Sequence, residues 1–146
     1  MSVDVQTQIV IDRPRAEVAA YASDPDNATA WYVNIKSVRW KSEKPAVTGS
    51  LIEFVAQFLG KRIAYTYEVT DLIPDEKFVM RTAEGPFPME TTYSFAVAEG
   101  GKTLMTLGNR GEPSGFGKVA GPLMELAMRR ANTKDLQRLK AILESR

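Results

Sequence analysis

From Leu51 to Asn109 the chain keeps one rhythm: an apolar or aromatic side chain at every second position, broken at short intervals by turn-forming residues. "SLIEFVAQFL" puts Ile52, Phe54, Ala56 and Phe58 on one face, and "RIAYTYEVTDL" does the same with Ile63, Tyr65, Tyr67 and Val69. "FVMRT" pairs Phe78 with Met80, "METTYSFAV" aligns Met89, Thr91, Tyr93, Phe95 and Val97, and "TLMTLGN" aligns Thr103, Met105, Leu107 and Asn109. A period of two is the period of a β-strand, whose successive side chains point to opposite faces. Gly60 with Lys61, "IPDEK" and "EGGK" are hairpin signals. Strands joined by such short turns run antiparallel. "GPFP" carries two prolines, which suit a loop or a sheet edge.

A sheet with one apolar face needs a cover. From about Phe116 to Ser145 the period changes to that of one long helix. Val119, Leu123, Met124, Ala127, Met128 and Ala131 give it a broad apolar face in the first half, continued by Leu136, Leu139, Ile142 and Leu143. Gly121-Pro122 bends or delays its start. Arg129, Arg130, Lys134, Arg138 and Lys140, interleaved with Glu125, Asp135 and Glu144, read as a solvated outer face. Upstream, "VDVQTQIVI" alternates as a half-buried strand, with Val3, Val5, Thr7, Ile9 and Ile11 on one side. A helix follows, with Asp12 able to cap it, Pro14 in the first turn, Val18, Tyr21 and Ala22 on one face, and Asp24-Pro25 as its stop. "DNATAWYVNI" reads as a second short helix and "KSVRWK" as a short strand. The expectation is one α+β domain over residues 1–146: a strand, two short helices, six strands and a long helix.

Two absences bound the chemistry. The chain has no His and no Cys, which removes disulfides, thiolate nucleophiles, imidazole bases and the usual zinc, haem and iron ligands. No metal and no cofactor are expected. With 19 basic and 18 acidic residues the net charge is +1, which gives no long-range field to attract nucleic acid. No run approaches the roughly 20 apolar residues that span a bilayer, so no integral membrane association is expected. "MSVDVQTQIVID" lacks the basic-then-apolar pattern of a secretory signal, and the cytoplasm is the expected location.

Three stretches carry a resemblance. "IVIDRPRAEVAAYASDPDNATAWY", "YTYEVTDLIPDEKFVMRTAEGPFPMETTYSF" and "GEPSG" resemble, in turn, the first strand with paired helices, the central hairpins and the entry to the last helix of the polyketide cyclase/dehydrase-like group. That group lies within the START/Bet v 1-like (SRPBCC, helix-grip) superfamily. The resemblance spans almost the whole chain. It implies a curved seven-stranded antiparallel sheet wrapped around the C-terminal helix, with a cavity between them for a hydrophobic molecule. The chain departs from plant Bet v 1 proteins in lacking their glycine-rich loop, since "KPAVTGS" holds one glycine. Lacking His, it also departs from helix-grip domains that bind catalytic iron.

Strand parity and the resemblance together nominate a ligand-binding set: Trp31, Phe54, Tyr65, Tyr67, Met80, Met89, Tyr93, Met105, Asn109, Met124 and Met128. Tyrosines offer a ring wall with hydroxyl tips, and methionines adapt to varied shapes. Each of these also fits an ordinary core. Trp31 is open to two roles, a cavity-flanking residue or a buried anchor for the short helices. The Asn109 amide must be hydrogen-bonded if buried, either to backbone or to a ligand. Catalytic residues are not apparent: Glu53, Glu68, Arg81 and Glu90 fall on the outward parity, and no acid–base pair emerges on the inner face. The expected function is binding of a small hydrophobic or amphipathic, lipid- or polyketide-like molecule. A polyketide cyclase/dehydratase acting in the same cavity is the alternative, and a protein-interaction module the third. A homodimer is compatible with the sequence.

Overall fold

Seven strands form one antiparallel sheet: β1 (Val3–Ile11), β2 (Ile35–Trp40), β3 (Leu51–Phe58), β4 (Lys61–Ile73), β5 (Lys77–Glu84), β6 (Met89–Val97) and β7 (Thr103–Gly111). Their spatial order is β1-β7-β6-β5-β4-β3-β2. The computed structural model describes residues 2–117, 119 and 121–146. Helices α1 (Arg15–Ala22) and α2 (Ala28–Trp31) follow β1, and α3 (Gly121–Glu144) closes the chain. The sequence starts the last helix near Phe116; Lys118 and Ala120 in that stretch lie outside the described residues, and the described helix begins at Gly121. The fold is the expected α+β helix-grip, with a curved seven-stranded antiparallel sheet and a long C-terminal helix.

The hairpins form where the turn residues allow them. Phe58 pairs with Lys61 across a two-residue loop whose Leu59 and Gly60 both have positive φ, 51° and 77°. A two-residue loop of this kind matches the right-handed twist of the strands it joins. Gly111 has a different reason to lack a side chain. A Cβ there would run into the Pro88 carbonyl and the Met89 Cα, where β6 and β7 approach most closely. Alternation holds along most strands. In β7, Thr103, Met105 and Leu107 are all fully buried. Val97 departs from it: the end of β6 runs past the core, and that side chain is 69% exposed.

Helix α3 packs along β1, an edge strand. Four backbone groups on the free edge of β1 and just past its end meet side chains of α3. Glu125 accepts from the Asp4 N–H (3.2 Å) and Glu144 from the Asp12 N–H (2.8 Å). Arg129 donates to the Gln6 carbonyl (2.9 Å) and Lys140 to that of Val10 (2.8 Å). An unpaired edge is a template for association, and here the charged residues of the helix occupy it. Arg138 donates to the Ala30 carbonyl of α2 (2.8 Å). These charges are therefore more than the solvated outer face that the sequence suggests. Asp12 does not cap α1, because the residue at the cap position is Pro14 and no described side chain accepts from the first turn; the Asp12 N–H instead donates to Glu144.

The buried stripe of α3 runs Met124, Met128, Asn132, Asp135, Leu136, Leu139 and Leu143. Leu136, Leu139 and Leu143 join the main core with Trp31, Phe78, Phe95, Met105 and Leu107. Burial of each such leucine stabilises the fold by about 1.5–3 kcal/mol. Met124 and Met128 instead form a small second cluster with Val3 and Val5. Leu123 and Leu126, the former assigned to the apolar face by the sequence, are 60% and 47% exposed.

Candidate functional site

Between the two clusters, under the first half of α3, the structure holds a cavity of about 150 Å³. Its sheet wall comes from the inward positions of β3 to β7: Phe54, Ala56, Ile63, Tyr65, Tyr67, Met80, Thr82, Met89, Thr91, Tyr93 and Asn109. The helix contributes Met124, Met128, Ala131, Asn132 and Asp135. Tyr32, Asn34 and Ile35, just after α2, close one side, and Pro86, Phe87, Pro113 and Phe116 of the connecting loops close another. An apolar cavity of this size is enough for a single small aromatic ring, and it stays dry when its lining is purely apolar. This lining is not purely apolar.

Nine of the eleven nominated residues line the cavity, and Trp31 and Met105 do not. Parity reports which face a side chain takes, not how far along the strand the cavity extends. Met105 points inward but lies at the filled end of the sheet, fully buried in the main core. Trp31 is also fully buried, stacked edge-on against Tyr93 (5.5 Å between ring centres) and tilted against Tyr32 (4.2 Å). It is the anchor of the short helices, and it holds two cavity tyrosines from behind.

Three of the four cavity tyrosines make side-chain hydrogen bonds among the described residues. The Tyr32 and Tyr93 hydroxyls lie 2.7 Å apart. Tyr67 shares a 2.9 Å hydrogen bond with Thr91, whose hydroxyl donates to Asn109 Oδ1 at 2.7 Å. The Asn109 amide oxygen is thus held by a side chain of the neighbouring strand rather than by backbone, and the residue lines the cavity. Burial pushes the Tyr32, Tyr65 and Tyr93 phenols well above their ordinary range. Tyr67 is pushed up by burial to about 12, against the pull of its bond to Thr91. All four are neutral near pH 7.

The polar end of the site comes from the helix. Asp135, which the sequence placed among the solvated acids, is 2% exposed and lines the cavity. Its Oδ1 accepts the Val33 N–H at 2.8 Å. Burial raises its carboxyl from 3.8 to about 7, opposed by that hydrogen bond and by the charge of Arg138. One turn earlier, Asn132 is 6% exposed, and its Nδ2 has no hydrogen-bond partner among the described residues. A buried donor left unpaired costs about 1–3 kcal/mol. Strand parity shows no inner-face acid because it speaks only for strands, and Asp135 is on a helix. On α3 the spacing from Met124 through Met128, Asn132 and Asp135 to Leu139 and Leu143 keeps one face, and that spacing was the available signal.

The outward carboxylates behave as expected. Glu53 pairs with Arg39 and Lys41, and Glu90 with Arg81 (2.6 Å) and Arg110 (2.9 Å), all away from the cavity lining. Among the described residues no group of three or more acidic side chains is placed to hold a metal ion. No described helix is long and apolar enough to cross a membrane.

A family model described as polyketide cyclase / dehydrase and lipid transport matches residues 2–144. No curated protein has a matching sequence. Among solved structures, a START superfamily protein from Mycobacterium smegmatis is similar over 97% of both chains at 14% identity, with a TM-score of 0.84. The Zhui aromatase/cyclase from Streptomyces sp. R1128 is similar over 99% of this chain and 94% of that one, at 16% identity and a TM-score of 0.81. Major latex-like protein 151 from Panax ginseng is similar over 96% of both, at 12% identity and a TM-score of 0.75. At such identities the likeness speaks for the fold, since unrelated activities share it.

Proposed function

The chain belongs to the polyketide cyclase/dehydrase and lipid transport family, and on that premise we propose that its cavity binds a small, largely apolar molecule carrying a polar group. One observation carries this reading. A wall of tyrosines, phenylalanines and methionines faces a helix whose two cavity-lining polar residues, Asn132 and Asp135, are buried without satisfying each other. Asp135 also holds the Val33 N–H, but the Asn132 amide, unpaired among the described residues, is a cost that a filled core avoids. A binding site uses few polar groups in an apolar setting to orient its ligand. The cavity of about 150 Å³ suits a ring-sized portion of a molecule, and a longer ligand would have to extend past Phe87 and Phe116.

The test places bulk where the ligand belongs. Met124 lines the cavity and belongs to the small second cluster. Met124→Trp is expected to abolish binding of a neutral apolar fluorophore such as N-phenyl-1-naphthylamine. Because the cavity can take part of the ring, the loss of stability is expected to stay below the roughly 1–3 kcal/mol of overpacking a filled core. Strong destabilisation with fluorophore binding unchanged would mean that the methionines only fill space. Native mass spectrometry of the freshly purified protein identifies any molecule carried with it.

Asp135 supports a second reading, a cyclase or dehydratase acting in the same cavity. Its carboxyl, raised to about 7 by burial, has the pKa a general base or acid needs near neutral pH. Neutral buried tyrosines, Tyr32 and Tyr93 among them, could donate to a carbonyl oxygen as charge develops there. On this reading Asp135→Asn binds a poly-ketone substrate but does not turn it over; on the first, neither protein turns it over.

A further inference from the structure

The polar end of the cavity is specific in its chemistry. No Lys or Arg side chain is among the described residues that line it, and Asp135 is the one carboxyl group among them. Asp135 has one oxygen engaged by the Val33 N–H, and the other has no such backbone donor. Asn132 lies three residues earlier on the same helical face, a spacing that makes the two side chains neighbours. Its amide nitrogen lacks a partner among the described residues. The site therefore holds an acceptor and, beside it, a buried unpaired donor that a small turn of the Asn132 amide would bring to a ligand.

We propose that Asn132 and Asp135 select a ligand bearing a neutral hydroxyl, an alcohol or a phenol, and exclude ligands ending in a carboxylate. This rests on the binding function proposed above and names its ligand class. A hydroxyl oxygen answers both side chains at once, donating to the Asp135 carboxylate and accepting from the Asn132 amide. A ketone accepts from Asn132 and leaves Asp135 unanswered. An ammonium group, all donor, leaves the Asn132 N–H unanswered. A carboxylate meets the Asp135 charge in a buried place with no cation on the lining, where like charges repel strongly. The groups facing Asp135 are the Tyr32, Tyr65 and Tyr93 phenols from the region after α2 and from β4 and β6, and Arg138 on its own helix. The phenols are neutral, and Arg138, pointing to the Ala30 carbonyl, is the cation that acts on Asp135 among the described residues.

Three probes that share a ring separate the ligand class from the cavity itself: naphthalene, 2-naphthol and 2-naphthoate, titrated calorimetrically into the intact protein at pH 8 and pH 6. Phenols and carboxylic acids ionise near about 10 and about 4, so between these pH values 2-naphthol is neutral and 2-naphthoate anionic. At pH 8, 2-naphthol is expected to bind about tenfold tighter than naphthalene, and 2-naphthoate at least about tenfold weaker than 2-naphthol. Protonation of Asp135 on going to pH 6 is expected to strengthen 2-naphthoate severalfold and leave 2-naphthol nearly unchanged. Asn132→Leu is expected to erase the advantage of 2-naphthol over naphthalene, and Asp135→Asn the pH dependence of 2-naphthoate. If 2-naphthoate equals 2-naphthol at pH 8, or 2-naphthol is no better than naphthalene while naphthalene binds, the hydroxyl selectivity is wrong and the cavity reading stands. If naphthalene also fails to bind, and benzene, which matches the single-ring volume of the cavity, fails too, the cavity reading falls and the ligand class with it. The wild-type comparison needs no variant to fold.

Discussion

Asp135→Asn is expected to make the protein more stable at pH 8 by up to about 4 kcal/mol, with the gain vanishing in acid. The carboxyl is raised by burial from 3.8 to about 7 in the folded protein. Each pKa unit corresponds to about 1.4 kcal/mol, so the shift sets a ceiling of about 4 kcal/mol. The sign follows from proton counting. Between these two values the folded state holds a proton that the unfolded chain has lost. Stability contributed by the protonated carboxyl is full below the unfolded value and is lost as pH rises through the folded one. The asparagine keeps an oxygen for the Val33 N–H and never ionises, so its curve lacks this fall. Urea denaturation of both proteins at intervals from pH 4 to pH 8 measures the gap, which is expected to open toward about pH 7 and then hold constant. Parallel curves would mean that Asp135 is ionised at no cost in the folded state, and the polar end of the cavity would have to be wetter than its 2% exposure implies.

Trp31→Ala is expected to cost about 3–5 kcal/mol, the range for deleting a large aromatic from a core. The residue is fully buried and touches the rings of both Tyr32 and Tyr93. Removing it also takes away what holds that hydroxyl pair against the cavity, so affinity for 2-naphthol is expected to fall along with the denaturation midpoint. A cost under about 1 kcal/mol would return Trp31 to the cavity wall, where the sequence left it as one option. The two substitutions are expected to move stability in opposite directions at pH 8, although both residues lie beside the same tyrosines.

The strands were legible because a period of two survives almost any substitution that keeps polarity. Tyr65, Tyr67, Tyr93 and Asn109 could be assigned to the inner face from the letters alone, and they line the cavity. Depth was not legible: Met105 and Met80 share a face and a side-chain type, yet one is sealed in the core and the other reaches the cavity. Asp135 and Asn132 were hidden for another reason. On a helix dense in charge, a buried acid looks like its solvated neighbours Lys134 and Arg138, and only three-dimensional closure shows that it faces inward. Tyr32 was missed because it follows Trp31 where the helix gives way to extended backbone. Adjacent side chains diverge there, one into the core and the other into the cavity. Lys140 and Glu144 likewise meet backbone groups at the end of β1 and just after it, more than a hundred positions away in the sequence, which no local pattern encodes.

The pairing of β1 with β7, from Val3 opposite Gly111 to Ile11 opposite Thr103, has a consequence for the order in which a ribosome delivers this molecule. Strands β2 to β7 are neighbours in sequence as well as in space, so each hairpin can close soon after it emerges. β1, synthesised before the other six strands, has no partner in this sheet until β7 is out, and joining such distant segments is slow relative to local hairpins. Through that interval the ring-lined inner surface of the sheet is bare to the solvent and to other nascent chains, the condition in which unpaired strands aggregate. Asn132 and Asp135 arrive later still, on α3. Translation must run past them before there is anything a ligand could occupy, so a chain interrupted before α3 would be a sticky sheet rather than a weaker binder.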